Sequence, residues 1–64
     1  MDVTLLRTFL ETADAGSLSR AAQGLQLSQP SLTAQIQRLE QHLGTMLFHR
    51  HGRGVTLTDA GKAL

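Results

Sequence analysis

Three histidines, His42, His49 and His51, are the first candidates for chemistry in this 64-residue sequence. His49 and His51 would share one side of a strand, since strand side chains alternate, and His42 could approach them. Zinc would still need a third or fourth ligand, and a sequence without cysteine offers no thiolate. The simpler account is exposed imidazoles, with His42 complementing the negative end of a helix dipole. No G-x-S-x-G, P-loop or H-E-x-x-H pattern occurs. So short a chain buries only about 60% of its unfolded surface and cannot enclose a substrate pocket of ordinary size. The expectation is no enzyme: no catalytic residue, no cofactor and no metal.

A second set of residues offers binding. Leu32, Ile36, Leu39 and Leu43 recur at steps of four, three and four, which is one apolar stripe of a helix over 29–43. At roughly 100° per residue, the opposite side presents Pro30, Ala34, Gln37, Arg38 and Gln41, with Gln29 and Thr33 on its flank. That face holds hydrogen-bonding groups, one cation and no carboxylate. The net charge of +1 hides an asymmetry that suits it. Asp2, Glu11 and Asp14 outweigh Arg7 near the start, whereas Arg20, Arg38, Arg50 and Arg53 outweigh Glu40 between residues 17 and 57. The distribution permits a polyanion-binding face.

The elements that must position this face divide at Gly16, Gly44, the pair Gly52 and Gly54, and more weakly Gly24. From Val3 to Ala15, Leu5, Leu6, Phe9, Leu10 and Ala13 keep helical spacing, and Gly16 suits the C′ position. Ser17 predicts the N-cap of a short second helix whose inner side is Leu18, Ala21, Ala22 and Leu25, with Leu27 in the following turn. Ser28 caps the third helix, where Pro30 is tolerated in the first turn. Phe48-His49-Arg50 and Val55-Thr56-Leu57 then bracket the tip His51-Gly52-Arg53-Gly54, which predicts a β-hairpin. Glu40 and Arg50 are expected to be structural, as an ion pair between the third helix and the hairpin. Thr58 and Asp59 open a fourth helix that has hardly begun at Leu64. The sequence is therefore expected to be part of a longer protein. No apolar run exceeds three residues and no signal peptide is evident, so a soluble, cytoplasmic domain without membrane contact is expected.

Two amphipathic helices joined by Leu25-Gln26-Leu27-Ser28, with a first helix packed on both, make a helix-turn-helix. The second helix of that motif lies in a DNA major groove with its N-terminal residues at the base edges. Phosphates line both walls of the groove, so its outward face must be free of carboxylates, as residues 29–38 are.

The run Gly16-Ser17-Leu18-Ser19-Arg20-Ala21-Ala22, Leu25, Ser28-Gln29-Pro30-Ser31-Leu32-Thr33, Gln35-Ile36 and Leu39-Glu40 resembles the LysR-type transcriptional regulators. The match continues through Leu43-Gly44, Leu47-Phe48, Arg50, Arg53, Val55, Leu57-Thr58 and Ala60-Gly61. The resemblance implies a mainly α winged helix-turn-helix fold, with a three-helix core and a two-stranded β-hairpin wing, over residues 1–57. Residues 58–64 would be the start of a linker helix that pairs subunits of a homodimer or tetramer. A small-molecule effector would act only on a C-terminal domain outside this sequence. By the same resemblance, Gln29, Pro30, Thr33 and Ala34 face the bases of double-stranded DNA. Ser28, Ser31 and Arg38 would meet phosphate or groove edge, and Arg53 would reach the adjacent minor groove from a wing over about 48–57. Two positions depart from the pattern. Ala34 stands where many relatives have Arg or Lys, and Gln37 where a basic residue is common. Ala34 can touch a thymine methyl but cannot hold a guanine.

The alternative is a winged helix that serves protein interaction or dimerisation without DNA, which the low net charge and Ala34 favour. The acid-free face and Arg53 favour DNA. A rigid helix fits the B-form major groove and not the narrow A-form one, and exposed aromatic platforms for single strands are missing. In competition, duplex DNA should therefore displace duplex RNA from this protein. Equal or tighter binding of the RNA would contradict the groove-helix assignment.

Overall fold

Local capping signals set most element boundaries in the computed structural model, which describes residues 3–52 and 54–64. The order is α1 (Val3–Ala15), α2 (Leu18–Leu25), α3 (Gln29–Leu43), β1 (Phe48–His51), β2 (Gly54–Leu57) and α4 (Asp59–Ala63). The side chains of Ser17, Ser28 and Thr58 each accept a hydrogen bond from the backbone N–H three residues on. Gly16 and Gly44 end their helices in the left-handed region, at φ 68° and 69°. Gln26 takes the same conformation after α2, and Leu27 N–H donates to the Ala22 carbonyl at 2.9 Å to close the helix. Gly24 marks no boundary, because it lies exposed within α2.

The stripe on α3 faces inward as its spacing predicts. Leu32, Ile36 and Leu39 are buried, and Leu43 packs at the edge of the core. Ile36 and Leu39 join Leu5, Phe9, Leu47, Phe48 and Val55 in one cluster, where the Phe9 and Phe48 rings tilt against each other at 5.3 Å. Leu32 forms a second cluster with Ala21 and Ala22. The small alanines let α3 lie close to α2.

The inner face of α1 is not the one expected. Leu5 and Phe9 are buried, but so are Thr8 and Thr12, whereas Leu10 is 61% exposed and Leu6 and Ala13 are half-buried. Hydrogen bonding makes this rotation affordable. Thr8 Oγ1 donates to Gln35 Oε1 of α3 at 2.6 Å, and Thr12 Oγ1 donates to the Thr8 carbonyl at 2.8 Å. Satisfied hydroxyls can be buried at little net cost.

The hairpin is antiparallel, with Phe48 opposite Leu57 and His51 opposite Gly54. Pairing therefore extends one residue further on each strand than expected, and only positions 52 and 53 lie between the strands. Gly54 is fixed by two constraints. Its φ of 145° is disfavoured for any L side chain, and a Cβ there would collide with the Gly16 carbonyl. The next residue, Val55, donates its N–H to that carbonyl at 3.0 Å. The hairpin is thereby pinned to the turn between α1 and α2. At the other end Thr58 N–H donates to the Leu47 carbonyl at 3.0 Å, and Thr58 Oγ1 to that of Met46 at 2.7 Å.

Ile36→Ala should cost about 2–5 kcal/mol, enough to unfold much of so small a domain. Thermal denaturation followed by circular dichroism measures the loss. An unchanged midpoint would mean that the wrong face of α3 has been assigned to the core.

Candidate nucleic-acid interface

The α3 cap decides which residues lead the exposed face. Ser28 keeps an extended backbone (φ −70°, ψ 153°), its Oγ accepts from Ser31 N–H at 3.2 Å, and it donates to Ser31 Oγ at 2.9 Å. Gln29 and Pro30 then begin the helix, where the proline's missing N–H leaves no vacancy in the ladder. Ser28, Gln29, Pro30, Ser31, Ala34, Gln37, Arg38 and Gln41 are exposed, and Thr33 is half-buried.

Gln29, Pro30, Thr33 and Ala34 are brought together with Gln37 along one shallow groove of about 480 Å³. Arg38 sits apart from them, beside Gln41 and His42 on the later turns. Arg53 lies outside the described residues. The structure adds a second cleft of about 370 Å³, in which Gln29 meets Ser17 and Ser19 of the α2 start and Arg50 and His51 of β1. Ser19 Oγ donates to Gln29 Oε1 at 3.1 Å. No spacing rule points to this partner, ten residues away across the turn.

Glu40 and Arg50 line a third groove, of about 720 Å³, but the expected ion pair is replaced by a different contact. Glu40 is only 7% exposed, and its Oε2 accepts from the Leu47 backbone N–H at 2.8 Å. A carboxylate acceptor makes a strong bond to an N–H that would otherwise be buried unpaired as the chain turns from α3 into β1. His42, His49 and His51 are all exposed. Among the described residues no three His, Cys, Asp or Glu side chains are placed to hold a metal ion. Among them also, no helix is long and apolar enough to cross a membrane.

The element order, the exposed first turn of α3 and the hairpin beside it agree with a family comparison. Residues 3–62 match the model described as bacterial regulatory helix-turn-helix protein, lysR family. The chain belongs to the lysR family. It is 50% identical over 64 residues to the HTH-type transcriptional regulator GltR of Bacillus subtilis, covering all of this chain and 22% of that protein. Among solved structures it is similar to the CbnR_DBD–DNA complex, at TM-score 0.94 and 44% identity, covering 98% of this chain and 72% of that one. It is also similar to the BenM_DBD complex with catB site 1 DNA, at TM-score 0.93 and 38% identity, covering 98% and 70%. This lysR-family chain spans about a fifth of the length of the curated relatives it matches.

The Glu40 contact is separable from charge pairing. Glu40→Ala should lower stability by about 1–3 kcal/mol, because Leu47 N–H is left buried without an acceptor. Glu40→Gln keeps an acceptor oxygen and should retain most of it. Chemical denaturation of both variants distinguishes this contact from an ion pair with Arg50, which glutamine would abolish as fully as alanine.

Proposed function

We propose that this chain is a sequence-specific double-stranded-DNA-binding domain of a bacterial LysR-type transcriptional regulator, with α3 in the major groove and the hairpin wing at the adjacent minor groove. The observation that carries this is the exposed start of α3, where Gln29, Pro30, Thr33 and Ala34 line one groove free of carboxylates. Gln29 offers both an amide donor and an acceptor to an adenine edge, and Pro30, Thr33 and Ala34 offer methyl and methylene contacts to thymine. Ser28, Ser31 and Arg38 would hold phosphate, and Arg53 would enter the minor groove, where narrow A·T tracts concentrate negative potential. The DNA complexes of the relatives CbnR and BenM support this use of the fold.

Residues 1–57 would form the binding domain and 58–64 the start of a linker helix. By this proposal the whole regulator is a cytoplasmic homodimer or tetramer paired through that helix, with its effector site in a C-terminal domain. The role is binding, with no catalytic step. About three phosphate contacts from one copy would give a salt slope near −3.

Titrations on a selected site and on its scrambled counterpart test the assignment. Gln29→Ala should cost about 1–3 kcal/mol on the selected site and little on the scrambled one. Arg53→Ala should weaken both, more where the flanks are A·T-rich. Failure of the parent protein to bind either duplex at low salt would favour the protein-interaction module instead.

A further inference from the structure

The amide of Gln29 is tied to the neighbouring helix α2. Ser19 Oγ, in the first turn of α2, donates to Gln29 Oε1 at 3.1 Å. The two residues lie on different helices, and both ends of the connection are fixed by caps. Ser17 caps α2 two residues before Ser19, and Ser28 caps α3 one residue before Gln29. The turn between the helices is closed by the Leu27 N–H to Ala22 carbonyl bond. Positions 19 and 29 are therefore held in register by backbone, not by chance side-chain contact.

A primary amide is planar, with an acceptor oxygen and a two-hydrogen donor nitrogen, and a half-turn about its last torsion exchanges them. Ser19 Oγ can donate to the oxygen or accept from the nitrogen, and the oxygen keeps a second lone pair, so the bond fixes where the amide sits while leaving a donor and an acceptor for a base. We propose that Ser19 is a positioning residue that holds the Gln29 amide in place for the base it reads and so sharpens the preference at that position. This rests on the DNA-binding role proposed above. An amide held in place meets adenine with both groups, its nitrogen donating to N7 and its oxygen accepting from N6, whereas an amide without an anchor settles for a single bond to any base. The hydroxyl–amide bond is exposed in the free protein, where water competes for it. Inside a groove that excludes water it is worth more.

The test is a set of duplexes in which each base pair of a selected site is varied singly to the other three. Each is titrated by fluorescence anisotropy with the parent protein, Ser19→Ala, Ser19→Thr, Gln29→Ala and the Ser19→Ala/Gln29→Ala pair. Gln29→Ala identifies the base position that Gln29 reads. At that position Ser19→Ala should lower discrimination between the preferred base and the other three about fivefold, the worth of one ordinary hydrogen bond. It should leave the other positions and scrambled DNA unchanged. Ser19→Thr, which keeps the hydroxyl, should restore the parent profile. In the Gln29→Ala background, Ser19→Ala should change nothing further. Three results would overturn the proposal: unchanged discrimination in Ser19→Ala, an equal loss on selected and scrambled DNA, or an effect that persists without Gln29. Circular dichroism midpoints equal to the parent's exclude a folding defect in this exposed position. A parent protein that binds no DNA would instead overturn the binding role itself, so the two failures are distinct.

Discussion

A single backbone hydrogen bond, from Val55 N–H to the Gly16 carbonyl at 3.0 Å, fixes the wing relative to the helix-turn-helix. Two glycines make it possible. Gly16 turns the chain in the left-handed region, where its N–H closes α1 on the Thr12 carbonyl while its own carbonyl faces the hairpin. Gly54 lets the strand approach that carbonyl, because a Cβ would occupy the same space. The cleft where Gln29, Ser19, Arg50 and His51 meet lies directly beside this junction. The latch, together with the packing of Phe48 and Val55 in the core, defines the separation between α3 and the hairpin. A rigid reader needs that separation fixed, since ordering it on binding would cost conformational entropy.

The core completes the same task from below. Val55, paired with Arg50, joins Ile36 and Leu39 of α3 and Phe9 of α1 in one apolar cluster. The polar contacts within the fold each replace a backbone or side-chain bond to water that burial removes. Thr8 to Gln35 ties α1 to α3, and Glu40 to Leu47 ties α3 to the start of the hairpin. Burying Gly61 against the Leu47 carbonyl ties α4 to the same place. Both α3 and α4 thus converge on Leu47, which is itself fully buried.

Features carried by neighbours in sequence were legible in the sequence. Ser17, Ser28 and Thr58 cap where their types and positions predict, because a cap involves residues only three apart. The Leu32–Ile36–Leu39 stripe needs only the helical period. Features carried by distant partners were not legible. Nothing local to Thr8 shows that Gln35 will meet it, so Leu10 was expected inside and stands largely exposed. Glu40 was expected to meet the opposite charge of Arg50 and instead meets a backbone N–H. The outward residues of α3 were legible as a face, but the contact that holds Gln29 comes from another helix.

The central claim is that the first turns of α3 and the hairpin form one DNA-reading surface, while α1 serves the core. Backbone amide chemical shifts, followed by two-dimensional NMR as a selected duplex is added to the folded chain, test it most directly. The account predicts that the largest changes cluster at residues 17–19, 28–38 and 49–56, with the exposed side of α1 near Val3, Arg7 and Leu10 unaffected. Changes concentrated on α1, with residues 28–38 silent, would contradict it.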